Sequence, residues 1–266
     1  MRITHVPARR TVGWRAVLVK AGTAIALGLA DIEALSSGQS MKPLDSHPYF
    51  ADAKVAAFVD DVQRGNLQRV TAALAAGMDP NARGKDGFRP IHFVFPAPTA
   101  DVTRTLLAAG ADANARVASG NTPLHFAVRM PNPAFTEALL AARGDPNAIG
   151  ANQKPVIHEA ISSHEPRNLE LLAKAGADLN AEWAFSRPVQ AAIAMLQWDM
   201  ATALLKLGAD AQASNRRGET VAQTYCEVLG RLQPTATNRR SVVGTAEALR
   251  MGGAKLGCED RVAVFR

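Results

Sequence analysis

Apolar residues in this chain come in short clusters separated by polar, glycine-bearing phrases, and the clusters recur at a fixed distance. The pairs Ala73-Leu74, Leu106-Leu107, Leu139-Leu140, Leu172-Ala173 and Leu204-Leu205 stand six and five residues before Asp79, Asp112, Asp145, Asp178 and Asp210. Those aspartates are spaced by 33, 33, 33 and 32 residues. Each pair lies in a stretch with helical apolar spacing, of which Val102–Ala109 and Phe135–Ala142 are examples. A glycine follows at Gly77, Gly110, Gly176 and Gly208, where a helix needs a left-handed C-cap.

Two more registers run in phase with the first. One reads Gly77-Met-Asp-Pro-Asn-Ala82, Gly110-Ala-Asp-Ala-Asn-Ala115, Gly144-Asp-Pro-Asn-Ala148, Gly176-Ala-Asp-Leu-Asn-Ala181 and Gly208-Ala-Asp-Ala-Gln-Ala213. The other reads Arg89-Pro-Ile-His92, Thr122-Pro-Leu-His125, Pro155-Val-Ile-His158, Arg187-Pro-Val-Gln190 and, degenerate, Thr220-Val-Ala-Gln223. A turn residue followed by Pro suits a helix start, because Pro fits the first turn and lacks the donor that would go unpaired there. Each period therefore predicts a hairpin, a helix, a turn and a second helix. One such unit cannot bury its own apolar face, so the units must stack.

These phrases resemble the ankyrin family from about Asp52 to Gly230. The resemblance implies an all-α ankyrin-repeat solenoid of helix-turn-helix units plus hairpin loops, with about six repeats including divergent caps. The expected organisation is a leader at 1–38, a Ser/Gly/Pro-rich linker at 39–51 and the repeat domain at 52–266. Within the domain we place an N-cap at 52–82, repeats at 83–115, 116–148, 149–181 and 182–213, and an extended C-terminal cap at 214–266. The first helical pair, Val55–Ala76, lacks the Pro-Leu-His phrase, carries Asp60, Asp61, Gln63 and Arg64, and turns at Gly65-Asn66. In the last unit the polar stretch Pro234–Arg240 separates Val221–Leu229 from a helix over Val242–Arg250. Pro96, Pro98, Pro131, Pro133 and Pro166 replace the usual turn glycine and should shorten or re-aim the first helices.

Composition agrees with close-packed helices: 47% of residues are hydrophobic but only 5% aromatic, so Leu and Ala carry the packing. The net charge of +6 is concentrated at the start. Residues 1–30 hold Arg2, Arg9, Arg10, Arg15 and Lys20 and no acid, which leaves 25 basic against 24 acidic side chains in the rest. A nucleic-acid binder keeps a basic stripe on its folded part, so DNA and RNA are not expected partners. The same leader, with the apolar stretch Ala21–Ala30 behind its basic residues, reads as an export signal, although Lys20 interrupts the run and no clean cleavage site stands out. The expected location is periplasmic. A start at Met41 would instead make the protein cytoplasmic. Membrane contact is expected only through an uncleaved leader, and the protein by itself is expected to be monomeric.

Cys226 and Cys258 are the only cysteines. Paired, they would close a loop of about 30 residues and stabilise by roughly 3–4 kcal/mol in the chain-entropy estimate, in an oxidising compartment only. Two unrelated buried thiols are the alternative reading.

His92, His125 and His158 invite a metal or catalytic reading, but their spacing opposes it. One per repeat, they should stand about 10 Å apart, whereas ligands of one ion converge to about 2 Å from it. The resemblance gives these histidines a hydrogen-bonding role that orders the hairpin. Asp79-Pro-Asn81 and Asp112-Ala-Asn114 look like the start of a calcium loop, but Arg83 and Arg116 stand where the next oxygen ligand is needed. They are expected to be turn residues. No catalytic motif, metal site or cofactor site is expected, and the chain is not expected to be an enzyme.

In ankyrins, partners are held by hairpin tips and by the first helix of each pair. Carried over to this chain, those positions are Lys85, Asp86 and Phe88, then Ser119, Asn121, Arg129 and Met130, then Asn152, Lys154 and Ser163. They continue with Trp183, Phe185 and Met195, and then Arg216 and Arg217. Trp183 and Phe185 stand out because hairpin tips are normally polar. They are either partner anchors or residues packed on the neighbouring hairpin.

The leader, the divergent array, the cysteine pair and the lead-in Tyr49–Val55 are similar to bacterial ankyrin proteins encoded beside type VI secretion lipase effectors. That likeness implies a periplasmic immunity protein that binds an effector toxin and blocks it. A scaffold that supports another enzyme without inhibiting it is the alternative.

Overall fold

Asp52 starts the first helix: its carboxylate accepts the amides of Lys54 at 2.7 Å and Val55 at 3.4 Å. That cap satisfies donors that an open helix end leaves unpaired. Helix α1 (Ala53–Gln63) then runs to the turn at Gly65, whose φ of 67° needs the left-handed freedom of glycine. Asn66 caps α2 (Leu67–Ala75) by accepting the amide of Arg69. The computed structural model describes residues 46–265, so the expected leader lies outside the described residues.

The same pair of elements repeats along the chain, with twelve α-helices and no strands among the described residues. Second helices are α3 (Asp101–Ala108), α5 (Ala134–Ala141), α7 (Pro166–Lys174) and α9 (Trp198–Lys206). First helices are α4 (Pro123–Ala127), α6 (Val156–Ser163) and α8 (Pro188–Ala194), preceded by the 3₁₀ turn Pro90–Phe93. The last pair is α10 (Val221–Arg231) and α11 (Arg239–Met251). First helices pack on first helices and second on second, which makes the two layers of an all-α ankyrin-repeat solenoid. Four of the five apolar pairs found in the sequence face inward at their first member, with Leu106, Leu139, Leu172 and Leu204 all fully buried, while Ala73 is half-buried.

The prolines act as expected in two units. Where Pro96 and Pro98 follow, the first helix is cut to the four-residue 3₁₀ turn. Where Pro131 and Pro133 follow, α4 has only five residues. Pro166 does something else: it opens α7 at its first turn, and α6 keeps eight residues and closes on His164 at a φ of 59°. The shortening expected from that proline is therefore absent, because a Pro at a helix start costs nothing there.

Both caps are more built than the sequence suggests. The end of the expected linker belongs to the solenoid: Ser46 is fully buried and donates to the Ala56 carbonyl at 2.9 Å and to Asp60 at 2.8 Å. Tyr49 and Phe50 join Phe88 and Phe93 in a cluster of tilted and edge-on rings with centroids 5.1 to 5.7 Å apart. At the other end, Cys226 and Cys258 form a disulfide with Cα atoms 5.7 Å apart. It ties α10 to a short helix α12 (Glu259–Val264), which periodicity does not predict and which buries Val262 and Phe265.

Candidate protein interface

Five hairpins project from the stack, and the repeat phrases explain how they are held. In each unit Asp closes its own turn, with Asp79, Asp112, Asp145 and Asp178 accepting the amide two residues on at 2.8 to 2.9 Å. The following Asn reaches into the next unit. Asn81, for example, accepts the amide of Asp112 at 2.8 Å and donates to the carbonyl of Gly110 at 2.8 Å. Asn114 and Asn147 repeat both bonds one and two units later. The Asp-x-Asn phrases thus join repeats as well as ordering turns.

The histidines serve the hairpins in the same way. His92 Nδ1 accepts the amide of Arg89 at 3.0 Å, and its Nε2 lies 3.1 Å from the carbonyl of Ala115 in the next unit. This pattern fits a neutral ring with the proton on Nε2. Burial disfavours the charged form and lowers the His92 pKa to about 4, against the partial opposition of the two carbonyl contacts. His125 and His158 are lowered for the same first cause. Gln190 replaces the imidazole in the next unit, accepting from the Arg187 amide at 3.1 Å and donating to the Glu219 carbonyl at 2.9 Å. Among the described residues, no group of three or more His, Cys, Asp and Glu is arranged to hold a metal ion.

The hairpins are also bonded edge to edge. The Ala118 amide donates to Asp86 O at 2.7 Å, and Arg116 Nη1 donates to Ile149 O at 2.6 Å. Asn121 Oδ1 accepts the Ala151 amide at 2.8 Å, and Trp183 Nε1 donates to Asn152 O at 3.0 Å. Arg187 Nε reaches Ser214 O at 2.6 Å, and Asn215 Nδ2 reaches Phe185 O at 2.7 Å. Every junction of the hairpin ribbon is closed, so its outer surface is pre-organised.

The expected contact residues divide on this ribbon. Phe88 is a correction: only 2% exposed, it belongs to the N-terminal aromatic cluster, packed against Tyr49 of the lead-in and against Phe93. Met130 is buried as well. Lys154 is a second correction. Its side chain is 14% exposed and its ammonium is spent on Glu159 at 3.3 Å, on Ser162 at 3.0 Å and on the Trp183 ring at 5.0 Å. Burial lowers its pKa, with Glu159 opposing. Asn121 is engaged in the ribbon, Ser119 and Arg129 are half-buried, and Lys85 and Asn152 are exposed.

Trp183 and Phe185 part company. Trp183 is half-buried and packs on the preceding hairpin, between Lys154, the His158 ring at 5.8 Å and the Asn152 carbonyl. Phe185 is 52% exposed, and the guanidinium of Arg217 lies 4.2 Å from its ring centre. The cause is visible in the repeat. This is the 32-residue period, and the missing residue tightens the hairpin to a two-residue turn between Trp183 and Ser186. Ala184 and Phe185 both take positive φ, 51° and 59°, as such a turn requires. Arg216, 79% exposed at its side chain, reaches back to Glu182, whose carboxylate accepts the Arg216 amide at 3.2 Å.

Between the third and fourth hairpins an open depression is lined by Ile149, Asn152, Gln153, Pro155, Glu182, Trp183, Ala184 and Arg216. Sequence reasoning missed Ile149, an exposed apolar residue. Its signal was present, since it stands in the register where the two preceding periods carry Arg83 and Arg116. Met195 and Leu196 are exposed apolar residues at a turn between helices, and only the former was expected.

Charge is unevenly placed. The hairpin segments 83–89, 116–122, 149–155, 182–187 and 214–220 carry eight cationic side chains against three anionic ones, Asp86, Glu182 and Glu219. The remaining described residues carry fifteen against eighteen. The near-neutral total therefore hides a basic hairpin face on a mildly acidic body.

No helix among the described residues is long and apolar enough to cross a membrane. Residues 99–183 match the family model for ankyrin repeats (3 copies). No curated protein matches the chain.

Proposed function

Because this is an ankyrin-repeat protein, a protein-interaction module by its repeats, we propose that it is an exported bacterial immunity protein that binds a lipase-type effector of type VI secretion and blocks it. The observation that carries the reading is the pre-bonded hairpin ribbon with Phe185 and Arg217 exposed at its tip. A rigid surface loses little entropy on association, which suits stoichiometric occlusion of an active site better than transient contact. The mechanism needs no chemistry from this chain: it would cover the effector's substrate entrance and release nothing.

Two features support an oxidising compartment. The only two cysteines are paired across the C-terminal cap, and such bonds persist outside the reducing cytosol. The leader has the order of an export signal, basic residues and then an apolar stretch.

The test is a titration of purified protein into the cognate lipase-type effector with a chromogenic ester. Hydrolysis should fall to baseline near one molar equivalent. Full activity in the presence of a large excess would reject inhibition and leave a non-inhibiting scaffold. N-terminal sequencing of the mature protein from its host checks export, which predicts cleavage near Ala30–Gly38.

A further inference from the structure

The hairpin ribbon is not uniform, and its composition specifies the partner further. Five of its eight cations are already committed to scaffold groups: Arg116 and Arg187 to neighbouring carbonyls, Lys154 to Glu159, Arg89 to Asp112 at 3.3 Å, and Arg216 to Glu182 at 3.8 Å. On the C-terminal half, the exposed guanidinium groups are those of Arg216 and Arg217. Arg216 is itself in the wall of the depression, together with Ile149, Pro155, Ala184, the Trp183 ring and the Glu182 carboxylate that Arg216 pairs with. Phe185, next in sequence to Ala184 of its wall, is half exposed.

This region also concentrates strained backbone. Of the eight non-glycine residues with positive φ among the described residues, Asn152, Gln153, Ala184 and Phe185 sit on the two hairpins that form the depression. Gln153 occupies the register position that Gly87 and Gly120 fill in the preceding hairpins. Such positions persist only where surrounding structure over-determines them, and the edge bonds of the ribbon do so here.

We propose that the depression between the third and fourth hairpins, together with Arg216 and Arg217, is a receptor for a protein loop that presents an apolar side chain next to a carboxylate. The apolar side chain enters between Ile149, Pro155 and Trp183. The carboxylate meets the exposed guanidinium groups of Arg217 and of Arg216, where it competes with Glu182. The Arg217 guanidinium lies 4.2 Å from the centre of the Phe185 ring, and the residue is exposed. The inference rests on the protein-binding reading and adds the chemistry of the partner. A nucleic acid fits less well: phosphate binding wants a run of free cations along the ribbon, and here the cations in its middle, Arg116, Lys154 and Arg187, are spent.

A random peptide-display library selected on the immobilised full chain tests the proposal. Selected peptides are then measured by fluorescence anisotropy against wild type, Arg216→Glu with Arg217→Glu, and Ala184→Gln, which fills the depression without adding charge. Selected peptides should pair Leu, Ile, Met or Phe with Asp or Glu within about four residues, a span set by strand rise. Both variants should weaken binding at least about tenfold. All three altered side chains are exposed, so circular dichroism and melting should not change; a variant that melts early is replaced by the Arg216→Ala, Arg217→Ala pair. The proposal is overturned if no peptide is selected, if selected peptides show no acidic bias, or if the variants bind as wild type does. Tighter binding of a thymidine oligonucleotide of about twenty residues than of any peptide overturns it too. Selection without acidic bias, or without dependence on these hairpins, would leave protein binding by another face standing. The effector titration tests the immunity reading separately.

Discussion

The side chain of Asn114 bridges to the next repeat at Asp145, accepting its amide at 2.7 Å while donating to the Arg143 carbonyl at 2.9 Å. Two backbone groups of one unit thus depend on one side chain of the unit before it. Net contributions of such bonds are about 0.5–1.5 kcal/mol each. Asn114→Ala should therefore lower stability by about 1–3 kcal/mol in urea unfolding, although the residue is on the surface. A change within error of zero would show that water replaces both bonds without loss.

Arg143, whose carbonyl takes part in that bridge, is itself strained. It sits at a φ of 63° in the register where Gly77, Gly110, Gly176 and Gly208 stand after the other second helices. Left-handed geometry costs a side-chain-bearing residue about 1 kcal/mol. Arg143→Gly should raise stability, offset by the greater freedom of glycine in the unfolded chain. The expected gain is a few tenths to about 1 kcal/mol by thermal or urea unfolding, and a loss would contradict the strain argument.

The histidines make stability depend on pH in a defined window. The His92 pKa is lowered to about 4 in the fold, against an ordinary value near 6.5, so the unfolded chain binds the extra proton first. The stabilisation is complete above about pH 6.5, declines as pH falls toward 4, and is exhausted below that; its size for His92 alone is up to about 3 kcal/mol. Gln190 supplies the control, because it makes the equivalent pair of bonds without titrating. His92→Gln should keep stability near wild type at pH 7.5 and lose less between pH 7 and 4.5. Equal pH slopes for the two proteins would remove His92 from the account.

How much of this could be read from the sequence depends on what each residue type had to do. The period, the helix pairs and the capping phrases were legible because each repeats a local solution: Pro at a helix start, glycine after a helix end, Asp and Asn in a turn. The fate of single positions was not, because it depends on what another part of the chain covers. Phe88 looks like a tip aromatic in sequence, but Tyr49 and Phe93 pack against it. Lys154 looked like a tip cation, but Glu159 lies beside it one helical turn on. Phe185 was legible as an anomaly, and the missing residue that exposes it was already present in the 32-residue spacing.

Phe88 and Phe185 should consequently behave as opposites. Phe88→Ala removes a buried ring from the N-terminal cluster and should cost about 3–5 kcal/mol. Phe185→Ala removes a ring that is half in water and should change stability by no more than about 0.5 kcal/mol. If Phe185 anchors a partner, its loss should appear in binding alone. Comparable destabilisation by the two substitutions would mean that the fourth hairpin is part of the core.

The C-terminal cap offers the last separation. The Cys226–Cys258 bond ties the segment before α12 to α10, and Arg261 adds a hydrogen bond to the Gly230 carbonyl at 2.5 Å. Reduction should release α12 first, exposing the sites that Val262 and Phe265 cover. In a stacked array each unit touches only its neighbours, so the loss should fade along the solenoid rather than spread evenly. Hydrogen exchange of the Cys226→Ser, Cys258→Ser pair should quicken in α10, α11 and α12 and stay unchanged in α1 and α2. Uniform quickening from end to end would mean that the stack unfolds as one cooperative body, with the disulfide, worth about 3–4 kcal/mol in chain entropy, stabilising all of it.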